Sequence, residues 1–146
     1  MNETLDLSPD QCEHLLRAGV AGRVALSSPD GPHLVPVNYS VVGSAVVMRT
    51  SPYSVLGTYG RGSVLAFEVD WFDHDRWRGW SVVARGRADV VTDPVELERI
   101  RTTWEPRPWA GGSRNLYLRL PWTELSGRQV GTGWDPLDTL TVRRAV

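Results

Sequence analysis

Three consecutive strands are encoded by residues 23–50, which read RVALSSPDGPHLVPVNYSVVGSAVVMRT. Two short turn sequences, SPDG at 28–31 and VGS at 42–44, separate runs rich in valine and leucine. Proline presets φ in the first turn and glycine accepts positive φ, so each turn can reverse the chain. We therefore predict antiparallel strands over residues 23–27, 33–39 and 45–50. Pro36 lacks a backbone N–H, so the second strand should have an edge, a bulge or an opening there.

The flanking sequence predicts helices and further strands. Residues 8–11 (SPDQ) match a capping box with proline at the first helical position, and Gly19 ends that helix. Ser51 with Pro52 opens a short second helix, and Asp93 with Pro94 opens a third. Further strands are predicted at residues 64–69, 79–91, 115–120 and 124–130, with a polar aromatic loop at 71–78. The sequence thus predicts one mainly β domain over residues 1–146, an antiparallel sheet or barrel of six to seven strands with short helices.

Length and charge exclude several classes of protein. The 146 residues make one domain, and 16 basic against 17 acidic side chains give a net charge of −1. This balance argues against a nucleic-acid binder that works by bulk attraction to phosphates. No apolar run is long enough to cross a bilayer, and the first residues do not resemble a signal peptide. We therefore expect a cytoplasmic protein without nucleic-acid or membrane partners.

The basic and aromatic residues are unusual. All 16 basic residues are arginine, which excludes lysine nucleophiles and leaves arginine as the side-chain cation that could hold a phosphate. Seven tryptophans suit contact with a flat ligand or a subunit interface, or they fill the core. The three histidines lack metal-ligand spacing, so we expect no metal site. No catalytic residue is identified, although Tyr39 and His74 are possible proton donors.

The strongest candidate site is the sequence RTSPYS at residues 49–54. A predicted strand delivers Arg49 and Thr50 to the start of a short helix that also carries Ser54. One guanidinium and two hydroxyl groups at a helix start suit an anion, with a phosphate monoester as the natural ligand. The alternative is that Ser51 only caps the helix and Arg49 is a solvated residue at a strand end.

Two further segments are candidates for contact with a planar ring. The backbone around Pro36, Val37 and Asn38 could lie against such a ring and offer hydrogen-bonding groups, or it could be an irregular edge strand. Trp80 and Ser81 place a large ring and a hydroxyl on opposite faces of a strand, or they are a core tryptophan and a surface serine.

Taken together, these segments resemble the FMN-binding split-barrel family, the relatives of pyridoxamine 5′-phosphate oxidase. The resemblance covers residues 8–130, and its order and spacing are more specific than any single motif. The matching stretches are residues 22–26 (GRVAL), 35–39 (VPVNY), 49–54, 66–70 (AFEVD), 79–83 (GWSVV), 85–88 (RGRA), 108–109 (PW), 118–120 (LRL) and 126–128 (SGR).

The resemblance implies a split antiparallel β-barrel that pairs as a homodimer, with flavin mononucleotide (FMN) at the interface. It assigns the phosphate and ribityl chain to Arg49, Thr50 and Ser54, and the isoalloxazine ring to Pro36, Val37 and Asn38. It also implies that Trp80 and Ser81 face the flavin, and that Trp104, Trp109 and Arg119 reach it from the partner chain.

One residue departs from the family pattern. Close relatives commonly carry lysine after the serine, where this chain has Val55. Arg49 must then hold the phosphate alone or with help from Arg61.

The resemblance implies a flavin-dependent oxidoreductase acting on a small molecule, without the elements of the true pyridoxamine phosphate oxidase. The alternatives are a reductase of the same fold that uses a deazaflavin coenzyme, and a non-catalytic dimeric binding module. The tail at residues 131–146 lies outside the resemblance.

Overall fold

The computed structural model describes residues 3–140. Its strands are β1 (Thr4–Asp6), β2 (Ala21–Ser28), β3 (Gly31–Val42), β4 (Ala45–Thr50), β5 (Val64–Asp73), β6 (Arg78–Arg87), β7 (Asp89–Val90), β8 (Leu116–Pro121) and β9 (Glu124–Val130). Its helices are α1 (Pro9–Ala18), α2 (Val55–Tyr59) and α3 (Pro94–Trp104), followed by a short 3-10 helix (Pro136–Thr139). Within the described residues, no helix has the length and apolar character needed to cross a membrane.

The strands form one antiparallel sheet in the order β1-β9-β6-β5-β2-β3-β4-β8-β7. The long strand β3 belongs to both halves of this sheet, because residues 31–38 pair with β2 and residues 39–42 pair with β4. The chain returns from one half to the other between β8 and β9, where the Thr123 N–H donates to the Arg85 carbonyl (2.9 Å). This division into two halves confirms the predicted mainly β split barrel.

Apolar side chains from both halves meet in one main core. Leu15 and Leu16 of α1 are fully buried, as are Tyr39 of β3 and Phe67 of β5, whose rings lie 4.6 Å apart between centroids. Burial of each such side chain stabilises the fold by roughly 1.5–3 kcal/mol. A smaller cluster around Ile100 attaches α3 to the outside of β3, β4 and β8. The core therefore fixes β3 and β4 side by side, and this arrangement positions the candidate site.

Several predicted boundaries differ from the structure. The predicted loop at 71–78 is wrong: β5 and β6 continue to Asp73 and from Arg78, and only residues 74–77 form the turn. The predicted strand at 79–91 divides after Arg87, because Ala88 instead exchanges backbone hydrogen bonds with Gly62 and Ser63. The separated piece, β7, pairs with β8 on the far edge of the sheet. Together with the short β1, this division raises the strand number to nine in the part of the chain that is described.

Candidate functional site

The junction between β4 and α2 is a compact polar turn. Thr50 ends β4 with its side chain buried, and its Oγ1 lies 2.7 Å from Ser54 Oγ. Ser54 Oγ also donates to the Ser51 carbonyl (2.7 Å) and accepts from the Gly57 N–H (2.9 Å). Ser54, not Ser51 as predicted, is therefore the N-cap of α2, which begins at Val55. The two hydroxyls form one small cluster at the start of this helix.

A cavity of about 160 Å³ lies beside this junction. It brings together seven residues that the sequence singled out, because β3 and β4 are neighbours and α2 follows β4 directly. Those seven are Pro36, Val37, Asn38, Arg49, Thr50, Ser54 and Val55. The loop between α3 and β8 adds Pro108, which belongs to the matching stretch 108–109, and Ala110 and Arg114, which sequence reasoning missed. The two candidate segments thus belong to one site.

Arg49 is already engaged by groups of its own chain. Its Nη1 lies 3.2 Å from Glu105 Oε1, and its Nε donates to the carbonyl of Arg114 (3.2 Å). The Tyr117 hydroxyl donates to the same Glu105 carboxylate, and the Arg49 guanidinium lies 5.1 Å from the centre of the Tyr117 ring. Burial, followed by this hydrogen bond, raises the pKa of Tyr117 above its ordinary value, so the phenol stays protonated. The positive charge of Arg49 is therefore partly compensated at this site.

Asn38 forms the wall between this cavity and a larger one. Its Oδ1 accepts from the backbone N–H of Trp109 (2.8 Å), and its Nδ2 donates to the backbone carbonyl of Val20 (3.4 Å). The larger cavity, about 590 Å³, is lined by residues that include Trp104 and Trp109 of the same chain. Both polar ends of the Asn38 amide are thus used to hold the backbone around it.

The remaining predicted residues lie elsewhere in the protomer. Trp80 is buried in the core and donates through Nε1 to Thr139 Oγ1 (2.9 Å). Ser81 lines a separate groove between β1, β6 and β9. Arg119 lies 3.8 Å from Glu96 near β7. A single chain does not bring these three residues to the cavity. Their contact with a ligand there stays a prediction, which for Arg119 alone involves the partner chain.

The position of Arg61 does not support its predicted part in holding a phosphate. Arg61 lies at the exposed end of α2, where its Nε donates to the Gly57 carbonyl (2.8 Å), and it does not line the cavity. Arg114 does line it, and the signal that could have found Arg114 is strand register. Thr50 pairs with Leu116, so a residue two positions before Leu116 lies close to the turn that follows Thr50. That register cannot be read from local patterns.

Comparison with known proteins agrees with this fold. The sequence profile of the family described as pyridoxamine 5′-phosphate oxidase matches residues 8–129. The uncharacterized protein Rv0080 of Mycobacterium tuberculosis is 34% identical over 109 residues, which cover 71% of this chain and 72% of the relative.

Two solved structures share the architecture. The FAD binding protein from Mycobacterium smegmatis superposes with a TM-score of 0.72 at 26% identity, covering 86% of this chain and 97% of the other. A conserved protein of unknown function, DIP1874 from Corynebacterium diphtheriae, gives a TM-score of 0.73 at 27% identity. The superposition covers 87% of this chain and 98% of the other. The match along residues 8–129 spans the whole candidate site. The chain therefore belongs to the pyridoxamine 5′-phosphate oxidase family.

Proposed function

We propose that this chain is a flavin-binding protein whose cofactor phosphate lies at the junction between β4 and α2. The observation that carries the proposal is the single cavity that unites the ring-binding candidates of β3 with Arg49, Thr50 and Ser54. Hydroxyl and guanidinium groups are the donors that phosphate oxygens prefer. The FAD-binding relative from M. smegmatis supports a flavin as the ligand.

The residues present fit the end group of a flavin better than the whole molecule. A cavity of about 160 Å³ is smaller than the roughly 300–1,000 Å³ typical of complete ligand pockets. The polar turn around Thr50 and Ser54 suits a phosphate, while Val35, Pro36 and Val37, which line the same cavity, offer apolar contact to one part of a planar ring. A second protomer would have to cover that ring, so the proposal includes a homodimer with the site at its interface.

The outer face of the sheet favours such pairing at this place. Leu34 of β3 and Val64 of β5 are 69% and 56% exposed on it, with Ala25 and Ala66 between them. Exposed apolar patches rimmed by polar residues mark interaction surfaces. Pro36 lies on the same side of β3 as Leu34 and also lines the cavity. A second copy seated on this face would therefore also close the site.

Within the proposed function, the chain contributes binding, orientation and exclusion of water. A bound flavin supplies the hydride chemistry of an oxidoreductase that acts on a small molecule. To hold the phosphate, Thr50 and Ser54 would redirect hydroxyl protons that in this structure go to Ser54 Oγ and the Ser51 carbonyl. The strand around Pro36 would hold the ring plane. FMN is the proposed form, and a deazaflavin coenzyme with a longer anionic tail is the alternative.

Titration of the purified protein with FMN, FAD and a deazaflavin coenzyme tests this proposal. Binding is followed by flavin fluorescence, and competition ranks the three cofactors. We expect FMN to bind and Ser54→Ala to weaken binding about tenfold, while the exposed Ser27→Ala matches the wild type. Absence of binding for all three at about tens of micromolar overturns the flavin proposal.

A non-catalytic binding module is the second candidate, and one contact favours it. Glu105 already pairs with Arg49, and Val55 packs towards the core, so Arg49 offers only part of its positive charge to an anion. Under this alternative the protein would be dimeric in solution without retaining any flavin after titration. The same titration, combined with sedimentation of the unliganded protein, separates the two functions.

A further inference from the structure

Arg114 is a cation of the cavity for which the described part of the chain offers no ion-pair partner. Arg114 lines the cavity together with Thr50, Ser54 and Val55. Within residues 3–140, no carboxylate forms an ion pair with Arg114, whereas Arg49 is paired with Glu105. The two arginines therefore differ in how much charge they can offer to a ligand.

The Arg114 side chain also carries an unmet hydrogen-bonding need. Its Nε is buried, and no acceptor for it exists among the described residues. A buried donor without an acceptor is unfavourable, and an acceptor placed beside the guanidinium group removes that penalty. An anion in the cavity would supply both an acceptor and an opposite charge.

The backbone holds Arg114 in place from two sides. The Arg114 carbonyl accepts from Arg49 Nε (3.2 Å), and strand β8 begins two residues later at Leu116, opposite Thr50. Arg49 thus holds the loop that carries Arg114 through this hydrogen bond. This arrangement gives Arg49 a positioning role and leaves the guanidinium of Arg114 for the ligand.

We infer that Arg114 is the cation that binds the terminal phosphate of the flavin. This inference rests on the proposed flavin function and assigns a residue to its phosphate subsite. A phosphate monoester carries close to two negative charges near neutral pH, and a guanidinium can bind two of its oxygens at once. Arg114 therefore favours the phosphorylated cofactor over its unphosphorylated form.

Comparison of FMN with riboflavin isolates this contact, because the two ligands share the ring and differ in the phosphate. Affinities are measured by fluorescence titration for the wild type, Arg114→Gln, Arg114→Lys and Arg61→Gln. We expect Arg114→Gln to weaken FMN binding about tenfold or more and riboflavin binding less than about twofold. Arg114→Lys should recover part of the FMN affinity, and Arg61→Gln should match the wild type.

The outcomes separate the two proposals. If the wild type binds neither FMN nor riboflavin, the flavin function is overturned, and the role of Arg114 with it. If the wild type binds FMN but Arg114→Gln leaves FMN affinity unchanged, or weakens both ligands equally, only the assignment of Arg114 is overturned. An unchanged thermal midpoint of Arg114→Gln without ligand shows that any loss does not come from unfolding.

Discussion

Two carboxylates on β5, Glu68 and Asp70, share the guanidinium group of Arg23 on β2. Arg23 Nη1 lies 2.8 Å from Glu68 Oε1 and 2.9 Å from Asp70 Oδ2. Burial, and then the hydrogen bond and charge of Asp70, raise the pKa of Glu68 to about 7, against the opposing effect of Arg23. Despite the nearby guanidinium group, Glu68 is therefore protonated in part of the molecules at neutral pH.

This raised pKa predicts a loss of stability as the pH rises. Folded Glu68 holds its proton more tightly than unfolded Glu68, and this preference stabilises the folded state at low pH. The stabilisation is lost as the pH rises from about 4.5 to about 7. Glu68→Gln mimics the protonated form and removes the dependence. We expect its melting temperature, relative to wild type, to rise by a few degrees between about pH 5 and pH 8.

Thermal melts of both proteins across this pH range make the measurement. Glu124→Gln is the matched control, because Glu124 is an exposed carboxylate paired with Arg85 (3.0 Å) on the same sheet. A melting-temperature difference between wild type and Glu68→Gln that stays constant with pH would contradict the shared-cation account.

At the scale of elements, α2 is kept against the turn at residues 51–54 by a close backbone approach at Gly57. A Cβ added at Gly57 would collide with the Ser51 carbonyl oxygen and lie 3.0 Å from Pro52 Cα. Only glycine fits there without moving the turn that carries Ser54. The position of the polar cluster therefore depends on a residue that makes no side-chain contact of its own.

Gly57→Ala should disturb both the fold and the site. Overpacking against fixed backbone costs about 1–3 kcal/mol, and displacement of Ser54 should weaken FMN binding as well. Gly111→Ala is the matched control, because an added Cβ there meets nothing within 4 Å and the backbone is not in the left-handed region. Denaturant unfolding and FMN titration test this; equal stability and affinity in the two variants would show that the turn tolerates the shift.

The element boundaries show how far local patterns reach. The start of α1 was predictable, because the Ser8 and Gln11 side chains cap each other's backbone N–H groups within four residues. The start of α2 was predicted three residues early, because both Ser51 and Ser54 suit a cap and the choice depends on contacts with Thr50 and Gly57. The turn between β5 and β6 was hidden because its positive-φ residue is Trp77 and not glycine.

The candidate site was predictable to the extent that it is local or shared with the family. Arg49, Thr50 and Ser54 are close in sequence, and the resemblance joined them to Pro36 and its neighbours. Glu105 and Arg114 were missed because they reach Arg49 across 56 and 65 residues of sequence, respectively. Such contacts depend on the register between β4 and β8, for which the sequence carries no local signal.

At the scale of the whole molecule, the outer sheet face and the cavity are continuous through Pro36. If a second protomer covers Ala25, Ala66 and Leu34, cofactor binding and dimerisation must be linked, since each stabilises the other. Ala66→Arg places a long charged side chain in the middle of this face, opposite Ala25 and away from the cavity residues. We expect it to shift the protein towards monomer and to weaken FMN binding about tenfold or more, because burying an unpaired charge opposes association.

Sedimentation equilibrium with and without FMN measures both effects in one protein. Val95→Arg is the control, because it puts the same charge on a residue of α3 that is 76% exposed and lies outside the outer face. FMN should move the wild type and Val95→Arg further towards dimer and leave Ala66→Arg largely monomeric. A wild type that binds FMN as a monomer, or an Ala66→Arg variant that remains dimeric with full affinity, would place the interface elsewhere and separate cofactor binding from self-association.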